Sequence, residues 1–318
     1  MVLFSCNASR FLYHFLNRVG FSTSYSSLSE RLHKLGDSVL HTLEELGARV
    51  RSGETSVVWI YDNIQRNHIA WNQTVSNKNT MRTGTTATVL VMDGVSKGDL
   101  DPKALASRLH LRSKLTFNDL INDLDQEHLD NIGKATLLSI WTKHIGYLQK
   151  FSHEARALFS EKHKKHPLQL RKSKYYSLKT SSIDESRAAG AKAVLADIAS
   201  QLKLKDGDFD NILIPVAGDL VTVDRIRKLQ RYTHTDASTY NQHIWALPWI
   251  QLWHMKWTVL RSFYNTHWAG NIGKHLYGLR SDCNTLQRKN LNPEKCDFHS
   301  HNEAAAVTFE SLCIGALR

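Results

Sequence analysis

Long apolar runs are missing from this 318-residue chain. The longest, around Ile212 to Val216, falls far short of the ~18 residues that a membrane-spanning helix requires, so no such span is expected. Cysteine is sparse as well. Cys6, Cys283, Cys296 and Cys313 are scattered rather than arrayed as a disulfide framework, which fits a reducing compartment. Internal repeats and low-complexity tracts are absent. So is a glycine-rich phosphate loop: Gly84-Thr-Thr and Gly94-Val-Ser-Lys-Gly lack both the spacing and the following Lys-Ser/Thr, which argues against nucleotide hydrolysis. No Gly-x-Ser-x-Gly elbow and no nucleophilic cysteine context occur, which leaves covalent hydrolase chemistry without support. Acids are in deficit too. With 41 Lys+Arg against 30 Asp+Glu, the chain carries +11 before any of its 17 histidines is counted, a balance that favours polyanionic partners such as nucleic acid.

Length permits one large α/β unit or two domains. The first residues, MVLFSCNASRFLYHFLNRVGFSTSYSS, are nearly free of acids, a composition that also suits a mitochondrial presequence. Their periodicity reads as structure: a helix from about Ser9 to Val19, Gly20 as its stop, then Ser24 or Ser26 capping a helix to about Val50. This helix–turn–helix outline is either a packed hairpin or a major-groove reader. Two β-type runs follow, Thr55–Asp62 and Thr85–Met92, the second stopped by Asp93-Gly94. From Pro102 to Lys203 the pattern turns helical, with segments near Asp119–Phe151 and Ser182–Leu202 separated by a basic loop from His163 to Lys179. Phe209–Asp219 holds a short apolar strand ending in a carboxylate. Thr222 then begins a helix with Val223, Ile226 and Leu229 inside and Arg225, Lys228 and Arg231 outside. Ile244–Leu247 is a further strand, Trp249–Trp268 an aromatic-rich helix, Ser281–Asn302 a polar loop, and Glu303–Leu317 a terminal helix.

Asp62 and Asp219 both stand where a strand is expected to leave the core. Carboxylates at the ends of short adjacent parallel strands reach one cation, and hard oxygen donors suit Mg²⁺ or Mn²⁺ in two-metal phosphoryl transfer. The plainer alternative stays open: Asp62 as a turn residue beside Asn63, and Asp219 as the cap of the helix beginning near Thr222, with Gly218 supplying a tight turn.

Four segments shift that balance: Trp59-Ile-Tyr-Asp-Asn-Ile64, Arg82-Thr-Gly-Thr-Thr-Ala-Thr-Val89, Pro215-Val-Ala-Gly-Asp-Leu-Val-Thr-Val-Asp-Arg-Ile-Arg227 and Leu252-Trp-His-Met-Lys256. With Ser22-Thr-Ser-Tyr25, they resemble domain of unknown function 6589, a family of uncharacterised proteins abundant in mushroom-forming fungi. Such proteins resemble genes spread by mobile elements, and their layout is similar to ribonuclease-H-fold transposases, in which one acid ends strand one and another follows strand four. The resemblance implies that Asp62 and Asp219 are the first and second metal-binding acids, and that His254 is the histidine that follows the second acid in some transposases. A third acid is expected on the last core helix, where Glu303 and Glu310 lie outside any matching motif; Glu303 is taken as the candidate. The resemblance also implies relatives longer at both ends, leaving a truncated or degenerate copy open.

Cys283, Cys296, His299 and His301 offer a zinc-like donor set whose spacing matches no common finger, so unrelated side chains in a polar loop are the plainer reading. The helix face of Arg225, Lys228 and Arg231, together with Lys174 in the basic loop, could follow phosphates, with Tyr175 and Tyr176 stacking on bases; a merely solvated face is the alternative. Trp245, Trp249, Trp253, Trp257 and Trp268 approach a four-residue rhythm of the kind usually buried in a core.

The expected fold is thus α/β, a ribonuclease-H-like mixed sheet with a large helical insertion and an N-terminal helical pair. Strands are expected near 56–62, 84–92, 210–217 and 243–247. The parts are a helical region over 1–52, the first piece of the core over 53–100, the insertion over 101–205, and the second piece, truncated at its C-terminus, over 206–318. The expected activity is Mg-dependent (or Mn-dependent) DNA cleavage and strand transfer by a nuclear or cytoplasmic protein, with DNA as partner, no membrane, and homo-oligomerisation open. The competing class is a non-catalytic nucleic-acid-binding or interaction protein that retains the fold.

Overall fold

The computed structural model describes residues 9–70, 73–74, 78–95, 98–108, 111, 114–164, 170–269, 278–288 and 290–316. Cys6 and part of the basic stretch between His163 and Lys179 lie outside them. The chain divides into two compact units, Met1–Ala106 with Ser173–Trp249, and Ser107–Lys172 with Ile250–Arg318.

The first unit is α/β. Helices α1 (Arg10–Arg18) and α2 (Tyr25–Arg51) begin on Ser9 and Ser24, whose side chains accept hydrogen bonds from Leu12 N–H and Ser27 N–H. Strands β1 (Ser56–His68) and β2 (Thr80–Met92) then form a long antiparallel hairpin, paired from Ser56↔Met92 to His68↔Thr80. A mixed five-stranded sheet runs in the order β3-β2-β1-β4-β5, with β3 (Tyr175–Ser177) antiparallel to β2 and β4 (Ile214–Gly218) parallel to β1; β5 is Ala246–Ile250.

Alternation along β1 explains how the sheet is covered. Val57, Trp59 and Tyr61 point to one face and are essentially inaccessible. They share a single core with Leu43, Leu46 and Val50 of α2, with Val194, Leu195 and Ile198 of α3 (Ala188–Gln201), and with Ile226 and Leu229 of α4 (Leu220–Tyr232). Trp59 lies at its centre, edge-on to Trp245 (5.2 Å) and Phe209 (6.5 Å). Trp245 therefore packs in this core, apart from the tryptophans of the second unit.

The second unit is helical. Here α5 (Gln126–His144) packs on α6 (Ser152–Lys162) and on the terminal helix α7 (Phe298–Gly315). Trp141 donates its indole N–H to the Cys313 carbonyl at 2.9 Å, and Glu310 binds both Lys143 and His144. A smaller core joins Leu260 and Tyr264 of α8 (Leu252–His267) to Leu279, Cys283, Cys296 and Ala304.

Several boundaries differ from the sequence reading. β1 continues to His68 rather than stopping at Asp62, because β2 pairs with it throughout. The stretch expected as a helical insertion over 101–205 contributes β3 and α3 to the sheet unit; three residues of strand are too few to show a period of two. The segment expected as a polar loop over Ser281–Asn302 holds a short helix, Leu279–Thr285, and α7 begins at Phe298 because Asp297 caps it through Ser300 N–H (2.9 Å).

Close approach fixes how α2 crosses α3. A Cβ on Gly47 would stand 1.9 Å from the Leu202 carbonyl oxygen, whereas one on Gly36 of the same helix would meet nothing within 4 Å. Gly47→Ala should therefore lower stability by about 1–3 kcal/mol, while Gly36→Ala should raise it by up to about 1 kcal/mol. Paired urea melts of the two variants check this: equal effects would contradict the packing.

Candidate functional site

Parallel pairing of β1 with β4 matches Trp59 to Val216 and Ile60 to Ala217. Two residues further along each strand, the same register sets Asp62 level with Asp219. Asp62 is exposed, on the pleat face opposite Tyr61, and its Oδ1 accepts the Asn63 N–H at 2.8 Å. Asp219 is half-buried and caps α4, its Oδ1 accepting the Thr222 N–H at 2.6 Å. A Cβ on Gly218 would stand 2.5 Å from Thr222, so glycine lets the helix fold back directly over the strand end.

A third carboxylate joins them that the sequence reading did not single out. Glu185 is 2% exposed and sits in the connection between β3 and α3. The connection is tied to β2: Thr85 exchanges backbone hydrogen bonds with Ser181 and donates its hydroxyl to the Ile183 carbonyl at 2.8 Å. Glu185 Oε1 accepts from Arg225 (3.3 Å) and from the Thr222 hydroxyl (3.4 Å), while Oε2 is buried without a partner, as is the Tyr61 hydroxyl. Burial pushes the Glu185 carboxyl up to about 7; Arg225 opposes the shift, and the negative charges of Asp219 and Asp62 add to it. Tyr61 is raised by burial first and by Glu185 next, so its hydroxyl keeps its proton.

His254 and Glu303 belong to the second unit: His254 is half-buried in the first turn of α8 with its ring against Trp253 (4.8 Å), and Glu303 pairs with Arg288. Of the cations proposed for phosphates, Arg225 is committed to Glu185 and Lys228 pairs with Asp224 at 2.6 Å; Arg231 and Lys174 are exposed. Cys283 and Cys296 are buried in the smaller core beside Tyr264, and both ring nitrogens of His301 face backbone carbonyls, those of Asp297 (2.7 Å) and Asn292 (3.2 Å). The two cysteines thus serve as core side chains and His301 as a backbone-bonded one, while His299 is exposed. Among the described residues no three His, Cys, Asp or Glu side chains form a ready-made metal cage.

Glu185 makes stability depend on pH. Its folded-state value lies above its ordinary 4.5, so its contribution is fully present below that value and is lost as pH rises through about 7. Between about pH 5 and 8 the wild-type chain should lose on the order of 3 kcal/mol from this group. Glu185→Gln should flatten that slope in chemical denaturation; an unchanged slope would show that Glu185 is not the group responsible.

A family model described as a family of unknown function, DUF6589, matches residues 110–318. That span holds Glu185, Asp219 and Arg225; Asp62 lies before it. No curated protein and no solved structure matches the chain.

Proposed function

We propose, for a chain that belongs to the DUF6589 family of unknown function, that the end of the β1–β4 ladder carries divalent-cation-dependent phosphoryl transfer on DNA, in a ribonuclease-H-like, transposase-derived sheet. The observation that carries this reading is the level placement of Asp62 and Asp219 on neighbouring parallel strands, with the buried Glu185 electrostatically coupled to both. The strand order supports it, since the first acid lies in strand one and the second follows strand four.

The donor set fits Mg²⁺ or Mn²⁺ in its chemistry, being all hard carboxylate oxygen, and the unpartnered buried Oε2 of Glu185 is the kind of orphan that a ligand or proton satisfies. Asp62 and Asp219 would hold the ion. When bound, a divalent cation supplies neutralisation of phosphate charge and a lowered pKa for an attacking water or 3′ hydroxyl. Arg225 balances the acids by holding Glu185 Oε1. Glu185 titrates near neutrality, in the electrostatic field of the two aspartates, and so can take or release a proton at the site. Exposed Arg231 and Lys174, with the net charge of +11, favour a polyanionic substrate.

Two observations favour the non-catalytic reading: the described acids form no three-membered metal cage, and Arg225 already pairs with Glu185. Nicking of supercoiled DNA with Mg²⁺ or Mn²⁺ separates the two. Asp62→Asn and Asp219→Asn should cut activity by about a hundredfold or more. Asparagine still caps a helix, so the Asp219 variant should keep its fold. DNA binding by the wild-type chain without any cutting would overturn the enzymatic reading.

A further inference from the structure

Helix α2 spans 27 residues, but only its second half packs into the sheet core, through Leu43, Leu46 and Val50. The apolar stripe does not stop there. Leu28, Leu32, Leu35, Val39, Thr42 and Leu46 follow one another at steps of four and three, the a/d rhythm of a two-helix seam. Leu28 and Leu46 are covered at the two ends, whereas Leu35 is 57% exposed and Val39 is 40% exposed, with Leu40 open beside them. A regular seam covered at both ends and open in the middle is not explained by solubility or by the core it leads into.

We propose that this open stretch of α2 binds α2 of a second copy of the same chain, in antiparallel order about a twofold axis. The charge pattern selects both the occupant and the direction. Between residues 30 and 45, the positions flanking the seam on the Ser38 side are Arg31, Ser38 and Glu45. Setting Leu35 opposite Val39 of the second copy sets Leu32 opposite its Thr42, Ser38 beside its Ser38, and Arg31 beside its Glu45. The twofold repeats each contact, giving two Arg–Glu pairs around a small, uncharged centre. A parallel pair would instead set Arg31 beside Gly36 and Ser38 beside Leu43 of the second copy, leaving the charges unmatched. Among the described residues Glu45 pairs with the imidazole of His41, at 3.3 Å and largely exposed, so it can take a second partner.

Sedimentation of the full chain across the micromolar range tests this. The expected result is a concentration-dependent species of twice the chain mass. Leu35→Glu with Val39→Glu, both at exposed positions, should abolish it without changing the melting transition. Arg31→Glu or Glu45→Arg alone should weaken association several-fold, and the two together should restore it. Oxidation should crosslink Ser38→Cys chains and spare Glu30→Cys chains, whose residue lies on the outer face. A wild-type chain that stays single throughout, or a dimer indifferent to Leu35→Glu with Val39→Glu, overturns the seam. A dimer that the charge swap fails to restore overturns the antiparallel register.

Discussion

Two residue pairs, Trp59 with Val216 and Ile60 with Ala217, join the N-terminal hairpin to the strand that follows α3. Everything chemical in the first unit depends on that short parallel ladder. It turns two aspartates remote in sequence into neighbours, and it does so by register: a slip of one residue would send Asp62 to the other pleat face. The register is held from beneath. Trp59 is wedged against Trp245 and Phe209, and all five residues of β4 are buried, so the ladder cannot slide without emptying the core.

The carboxylates at that end of the parallel ladder are not equivalent. Asp62 faces water, Asp219 spends one oxygen on a helix cap, and Glu185 is desolvated within the field of both. Burying a charge is costly unless it is paired, and Arg225 supplies the partner for only one of the Glu185 oxygens. The result is a group balanced between two protonation states near neutral pH, in an environment built from three separate stretches of chain. By contrast, the pairs on the outer surface, such as Lys228 with Asp224, are local helix contacts of small energetic weight.

Much of this is legible in the sequence alone. The inward set of Val223, Ile226 and Leu229 is buried as the helical period requires, Ser24 caps α2, and Asp219 caps α4. The mixed α/β sheet follows from β-branched runs alternating with helices. What could not be read is Glu185. Its burial depends on a hydrogen bond from Thr85 to a residue 98 positions away, and nothing in Ser182-Ile-Asp-Glu185 announces it; an acid three residues before an Ala-rich helix looks like an ordinary helix-start charge. β3 escaped for lack of length, and Arg225 read as a solvent-facing cation because its periodicity said nothing of the loop that folds over it.

The central strand of the sheet and its catalytic-candidate neighbour are drawn from opposite sides of residue 110. A fragment beginning there would keep β3, β4 and β5 yet lose both strands that separate β3 from β4. It would carry a strand made for burial on every side, with its hydrogen-bonding edge stripped bare, and such an edge invites pairing with other molecules. For this fold the smallest separable piece is therefore set by strand adjacency, and it must include the hairpin.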